Sequence, residues 1–171
     1  MSERALRQRC RSLLRQLDVR PPLNVWEMCA RLGALRGRPV YLLPHPLPAS
    51  GPFGVWLSTA AADHVFYQEL TSRPHQVHII LHELGHIIAD HRRDERDDDV
   101  VQLLYPGSGP GVVRQALRRT SYDSAQERDA ETVATIILQW ASVLDPLAPR
   151  FAPDPAGLGL QGGLGDRLGR L

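Results

Sequence analysis

Residues 82–86 read His-Glu-Leu-Gly-His, inside a largely apolar run from Val77 to Ala89. This segment constrains the fold more than any other. Ile80, Leu84, Ile87 and Ile88 recur at helical spacing, and Pro74 suits a first helical turn. The sequence therefore predicts a buried helix from Pro74 to about His91. His82 and His86 lie four residues apart, slightly more than one turn, so both imidazoles leave the same face. Burying two imidazoles and a carboxylate among isoleucines costs several kcal/mol unless something satisfies them. A divalent cation does so: two ring nitrogens at this spacing can meet one zinc ion at about 2.0–2.1 Å. Glu83 follows the first histidine, beside such an ion rather than on it. There it is placed to act as general base on a water, the arrangement of an HExxH motif.

Two histidines do not complete a site, so a third protein ligand is expected. A glycine three residues and a histidine six residues after His86 would supply it from the same segment, but those positions hold Ala89 and Arg92. His91, five residues on, should point off the metal face. His78 is one turn before His82, and three ligands on consecutive turns of one straight helix cannot surround an ion. The ligand should come from another helix. Ser124 to Leu144 predicts one, with Ala130, Val133, Ala134, Ile137 and Leu138 on its buried side. Its Glu127 and Glu131 are one turn apart, and both are candidates. Asp90 and Asp123 are candidates to accept a proton from the far nitrogen of a ligating histidine. His78, His91, Tyr105 and Tyr122 are candidates for an additional oxyanion donor.

The rest of the chain reads as follows. Ser2 to Leu17 predicts an amphipathic helix with Leu6, Cys10, Leu13, Leu14 and Leu17 on one stripe and Arg4, Arg7, Arg11 and Arg15 on another. Pro21-Pro22 ends it, and Asn24 can cap a second helix, Val25 to Leu35, with Gly33 and Gly37 near its end. Pro39–Leu43, Phe53–Ser58 and His64–Gln68 predict strands of a small antiparallel or mixed sheet, with the proline-rich LLPHPLPASGP as a loop. Residues 92–122 predict a long connection, with one or two helical turns over Val112–Arg118. Its acidic run, Asp94 to Asp99, is read as a solvated loop. Three regions result: an N-terminal helix (1–20), a main domain (21–144) and a Pro/Gly-rich, flexible C-terminal tail (145–171).

The pairing of HELGH with a downstream ERDAETVA resembles the ImmA/IrrE family of metallopeptidases, over about residues 24–142. That family shows HExxH followed by a helix with a pattern close to ExEADxFA. The resemblance implies Glu127 as the third zinc ligand, with Glu131, in the place of the family's aspartate, supporting the site from outside. Asp129 matches the second acid, and Ala130 and Ala134 the alanines. The chain departs from the pattern in three places: Glu131 is longer than the aspartate, Asp129 shorter than the usual glutamate, and Val133 replaces a phenylalanine. The implied fold is α+β and zincin-like, a small twisted sheet packed against the HELGH helix and a second ligand-bearing helix. The implied cofactor is Zn2+, which a two-histidine, one-carboxylate set also favours over manganese or iron. The implied activity is hydrolysis of peptide bonds in a regulatory protein, a separately encoded helix-turn-helix repressor or antitoxin-like partner. The alternative is a metal-binding regulator or toxin component that acts by binding alone.

Composition narrows the field further. A chain of 171 residues suffices for one domain with a real core. The net charge of +1 gives no bulk attraction for nucleic acid or an anionic membrane. The arginine stripe is read as a solvated helix face, so direct nucleic-acid binding is not expected. Cys10 and Cys29 stand alone, with no CxxC, which excludes a structural zinc knuckle and argues against a disulfide framework. The opening MSERALRQRC is charged and polar, no segment is long and apolar enough for a bilayer, and the expected compartment is the bacterial cytoplasm.

Overall fold

A computed structural model describes residues 2–47, 52–91 and 122–143. Among these residues, four helices and a three-stranded sheet follow in the order α1 (Glu3–Gln16), α2 (Val25–Arg36), β1 (Val40–His45), β2 (Gly54–Ser58), β3 (Asp63–Gln68), α3 (Arg73–Ala89) and α4 (Ser124–Val143). The architecture is mixed α+β. The expected turns at Val112–Arg118, the acidic run and the C-terminal tail lie outside the described residues. Among the described residues no helix is long and apolar enough to cross a membrane.

Local chemistry sets the helix ends. The Ser2 hydroxyl accepts from Ala5 N–H at 3.3 Å at the start of α1. Asn24 does the same for α2, accepting from Glu27 N–H at 3.1 Å. Gly37 closes α2 at φ 64°, the left-handed conformation that costs glycine least. Arg73 and Pro74 open α3, where a missing N–H has no helical partner to lose. The end of α3 departs from expectation. The helix stops at Ala89, because Asp90 turns left-handed (φ 60°, ψ 45°), and the chain reverses onto the last turn.

The sheet order is β1-β3-β2. β1 runs parallel to β3, and β2 pairs antiparallel with β3 through a four-residue turn, 59–62, tied by Thr59 and Ala62. The sheet is therefore mixed. β1 reaches past Leu43 to His45, so Pro44 and His45 are strand, where a loop was expected. Pro44 is tolerated because β1 is an edge strand of the sheet. β3 is central and buried throughout.

Trp56, Val65 and Tyr67 of the sheet share one core with Ile79, Ile80, Leu84, Ile87 and Ile88 of α3. α1 enters that core through Leu6, Cys10 and Leu14, while its arginine stripe faces solvent. α4 contributes Val133, Ala134, Ile136 and Ile137, all buried. A second polar cluster sits at the far end of β3. Asp63 is fully buried and accepts from Trp56 Nε1 at 3.0 Å, with the Arg36 and Arg38 guanidiniums against its two oxygens.

Candidate metal centre

The centre lies where α3 crosses α4. A Cβ on Gly85 would stand 2.5 Å from the Ala130 carbonyl oxygen and 2.7 Å from its Cα. Any larger residue there would force the helices apart. The glycine thus lets two backbones touch and brings the N-terminal half of α4 over the HELGH face.

Helical spacing does the rest. The rings of His82 and His86 have centroids 5.0 Å apart, and their Nε2 atoms are 3.3 Å apart. Glu127 reaches down from α4, its Oε2 3.1 Å from His82 Nε2 and its Oε1 3.9 Å from His86 Nε2. Ligand atoms about 2.0–2.1 Å from a tetrahedral ion stand about 3.3 Å from one another. The observed separations bracket that value. Among the described residues this is the one group of three or more His, Cys, Asp or Glu side chains with ligand atoms so close together. The donor set, two imidazoles and a carboxylate, suits zinc.

The burial of the three residues differs. His86 is 1% exposed, whereas the Glu127 side chain is 46% exposed. Glu83 is buried, on the wall of a cavity of about 530 Å³ that also opens onto His82, His86 and Glu127. Gly54, the first residue of β2, backs onto it: a Cβ there would stand 2.8 Å from Glu83 Oε1. Phe53, Val55 and Ile79 give the cavity an apolar lining.

Around the group, the other acids and histidines take distinct places. Glu131 Oε2 lies 3.4 Å from His82 Nδ1 and 3.5 Å from His78 Nε2, so it meets the far side of His82 and not the Nε2 group. His86 Nδ1 lies 3.0 Å from Nδ1 of His91. His91 was expected to point away, on the premise that the helix continued to it. The left-handed Asp90 swings it back instead, and its backbone N–H donates to His86 O at 3.0 Å. Burial holds the His91 imidazole below its ordinary pKa, against the opposing pull of Asp129, whose Oδ2 is 3.7 Å from His91 Nε2.

Asp90 and Asp123 both stand at helix ends. Asp90 caps α3, and Asp123 caps α4 by accepting from Ala125 N–H at 2.8 Å and Gln126 N–H at 2.9 Å. Those backbone donors, Gln126 foremost, lower the Asp123 pKa. Tyr122 stacks on His86 at 3.7 Å between centroids and 15° between planes, on the cavity wall with His78; Tyr105 lies outside the described residues. The His86–His91 contact is what sequence reasoning missed. Its only trace in the sequence is an Asp-His pair where the apolar run stops.

No protein-family model, curated protein or solved structure matches the chain.

Proposed function

We propose that the protein is a zinc-dependent peptidase of the ImmA/IrrE type, zincin-like in fold. The observation that carries this reading is the convergence of His82 Nε2, His86 Nε2 and the Glu127 carboxylate from two helices, beside a cavity walled by Glu83. The pairing of HELGH with ERDAETVA supports it independently.

His82, His86 and Glu127 would hold the ion. Zn2+ bound there supplies an acidified water and a Lewis acid for the scissile carbonyl. Glu83 takes the proton of the attacking water and passes it to the departing amine. Its burial beside the apolar wall strengthens each electrostatic contact it makes. Glu131 accepts the Nδ1 proton of His82 and so keeps Nε2 free to ligate. The substrate class follows from the resemblance: a separately encoded regulatory protein, a helix-turn-helix repressor or an antitoxin-like partner, in the cytoplasm.

Glu83→Gln tests the reading. Elemental analysis should find about one zinc per chain in both proteins. Hydrolysis of internally quenched peptides and repressor proteins should fall by about 10²–10⁴-fold in the variant, the usual worth of a general base. Absence of stoichiometric metal, or cleavage that ignores the substitution, defeats the proposal. Biological activity that survives Glu83→Gln would favour the binding-only alternative.

A further inference from the structure

The far side of His86 meets a second imidazole where a ligating histidine more often meets a carboxylate or a carbonyl. Two ring nitrogens 3.0 Å apart share one proton, so one must donate and the other accept. If the proton sits on His86 Nδ1, its Nε2 presents a lone pair toward His82 and Glu127. If it sits on His91 Nδ1, neutral His86 carries its own proton on Nε2, and the ligand position is blocked. The choice between these states decides whether His86 can bind an ion at all.

Asp129 biases the choice. Its carboxylate faces His91 Nε2, at 3.7 Å, and an anion there favours the His91 tautomer with its proton on Nε2. That tautomer leaves His91 Nδ1 as an acceptor, which sets the proton on His86 Nδ1. Three features hold the His91 ring in place. The left-handed Asp90 sets the chain direction, the His91 N–H is tied to the last turn of α3, and the residue is 9% exposed. The stacked Tyr122 limits rotation of the His86 ring.

We propose that His91 is a positioning residue for the metal centre: with Asp129 behind it, it fixes His86 in the tautomer that offers Nε2 to the ion. The proposal rests on the reading of His82, His86 and Glu127 as metal ligands. Neither His91 nor Asp129 touches the ion. They act through the His86 ring.

The test measures metal binding. Zn2+ affinity is read by competition with a chromophoric chelator, and Co2+ alone serves as a spectroscopic probe of ligand geometry. Three full-length variants are compared: His91→Phe, which keeps a ring and removes the acceptor; His91→Asn, which places an amide oxygen near the lost Nδ1; and Asp129→Asn. His91→Phe should weaken Zn2+ binding by about 10–100-fold, the usual worth of such outer partners, and should alter the visible Co2+ bands. His91→Asn should recover most of the affinity and the wild-type spectrum. Asp129→Asn, at a partly exposed position, should weaken binding less than His91→Phe, with the same spectral change. A packing role predicts the reverse order for His91, because phenylalanine fills the ring's space and asparagine does not. Wild-type affinity in His91→Phe, or a loss in His91→Asn as large as in His91→Phe, overturns the proposal and leaves the metal centre standing. Failure of the wild-type protein to bind either ion overturns the metal centre, and this inference with it.

Discussion

Among the described residues, two polar clusters are built on opposite plans. At the far end of β3, Asp63 is fully buried, but its counter-charges come with it: two guanidiniums and an indole N–H close around its oxygens. That cluster is neutralised by the chain itself. At the α3–α4 crossing, two imidazole nitrogens and a carboxylate face one another, and among the described residues only histidines pair with Glu127. A cluster that carries its own compensation is scaffold. One whose ligand atoms converge is, under the function proposed above, where a cation would sit.

The contrast can be broken by substitution, with the largest effect expected at Glu127. Glu127→Ala should lower Zn2+ affinity by about a thousandfold or more, beyond the roughly 10–100-fold that outer partners contribute, with little change in apo stability. Equal affinity in a chelator competition would remove Glu127 from the ligand set. At the other cluster the effects should invert. Asp63→Ala strands two guanidiniums and an indole N–H, and should cost about 3 kcal/mol, the low end for a broken buried pair because both arginines reach water. Denaturant unfolding measures this, and Zn2+ affinity of the folded protein should not move. Gly85→Ala sharpens the comparison by changing distance rather than charge. Its methyl would press on the Ala130 backbone, costing about 1–3 kcal/mol by overpacking and weakening Zn2+ binding together. Stability loss without affinity loss would mean that Glu127 does not depend on the helix crossing. The smallest effect belongs to Glu131→Ala. Its half-exposed carboxylate stands behind His82, so affinity should fall only about tenfold, the low end for an outer partner.

How far all this could be read beforehand depended on the range of the signals involved. Helix caps are local chemistry, so Asn24 and Gly37 marked the ends of α2 to within a residue. The HELGH spacing is local too, and it placed both imidazoles on one face. Strand positions came from composition, but strand order did not. Nothing in Val40–His45 says that it lies beside β3 rather than β2, because pairing depends on contacts more than twenty residues apart. Pro44 argued for a loop and found a place on an edge strand. At the site, periodicity nominated both Glu127 and Glu131. Only the crossing at Gly85 and Ala130 sends one to Nε2 and the other to Nδ1. His91 was misread for a single reason: a helical wheel applies only while the helix lasts, and one left-handed residue ends it.

A last consequence concerns the other end of α4. The helix is pinned at Ala130 against Gly85, and again near its C-terminus, where Trp140 Nε1 donates to Val19 O at 3.3 Å. Glu127 and Trp140 are thirteen residues apart, about 20 Å along a helix at 1.5 Å per residue. A rod fastened at two points cannot swivel, so the segment that follows α1 takes part in setting where α4 carries Glu127. The stretch just after α1 is a mooring for α4.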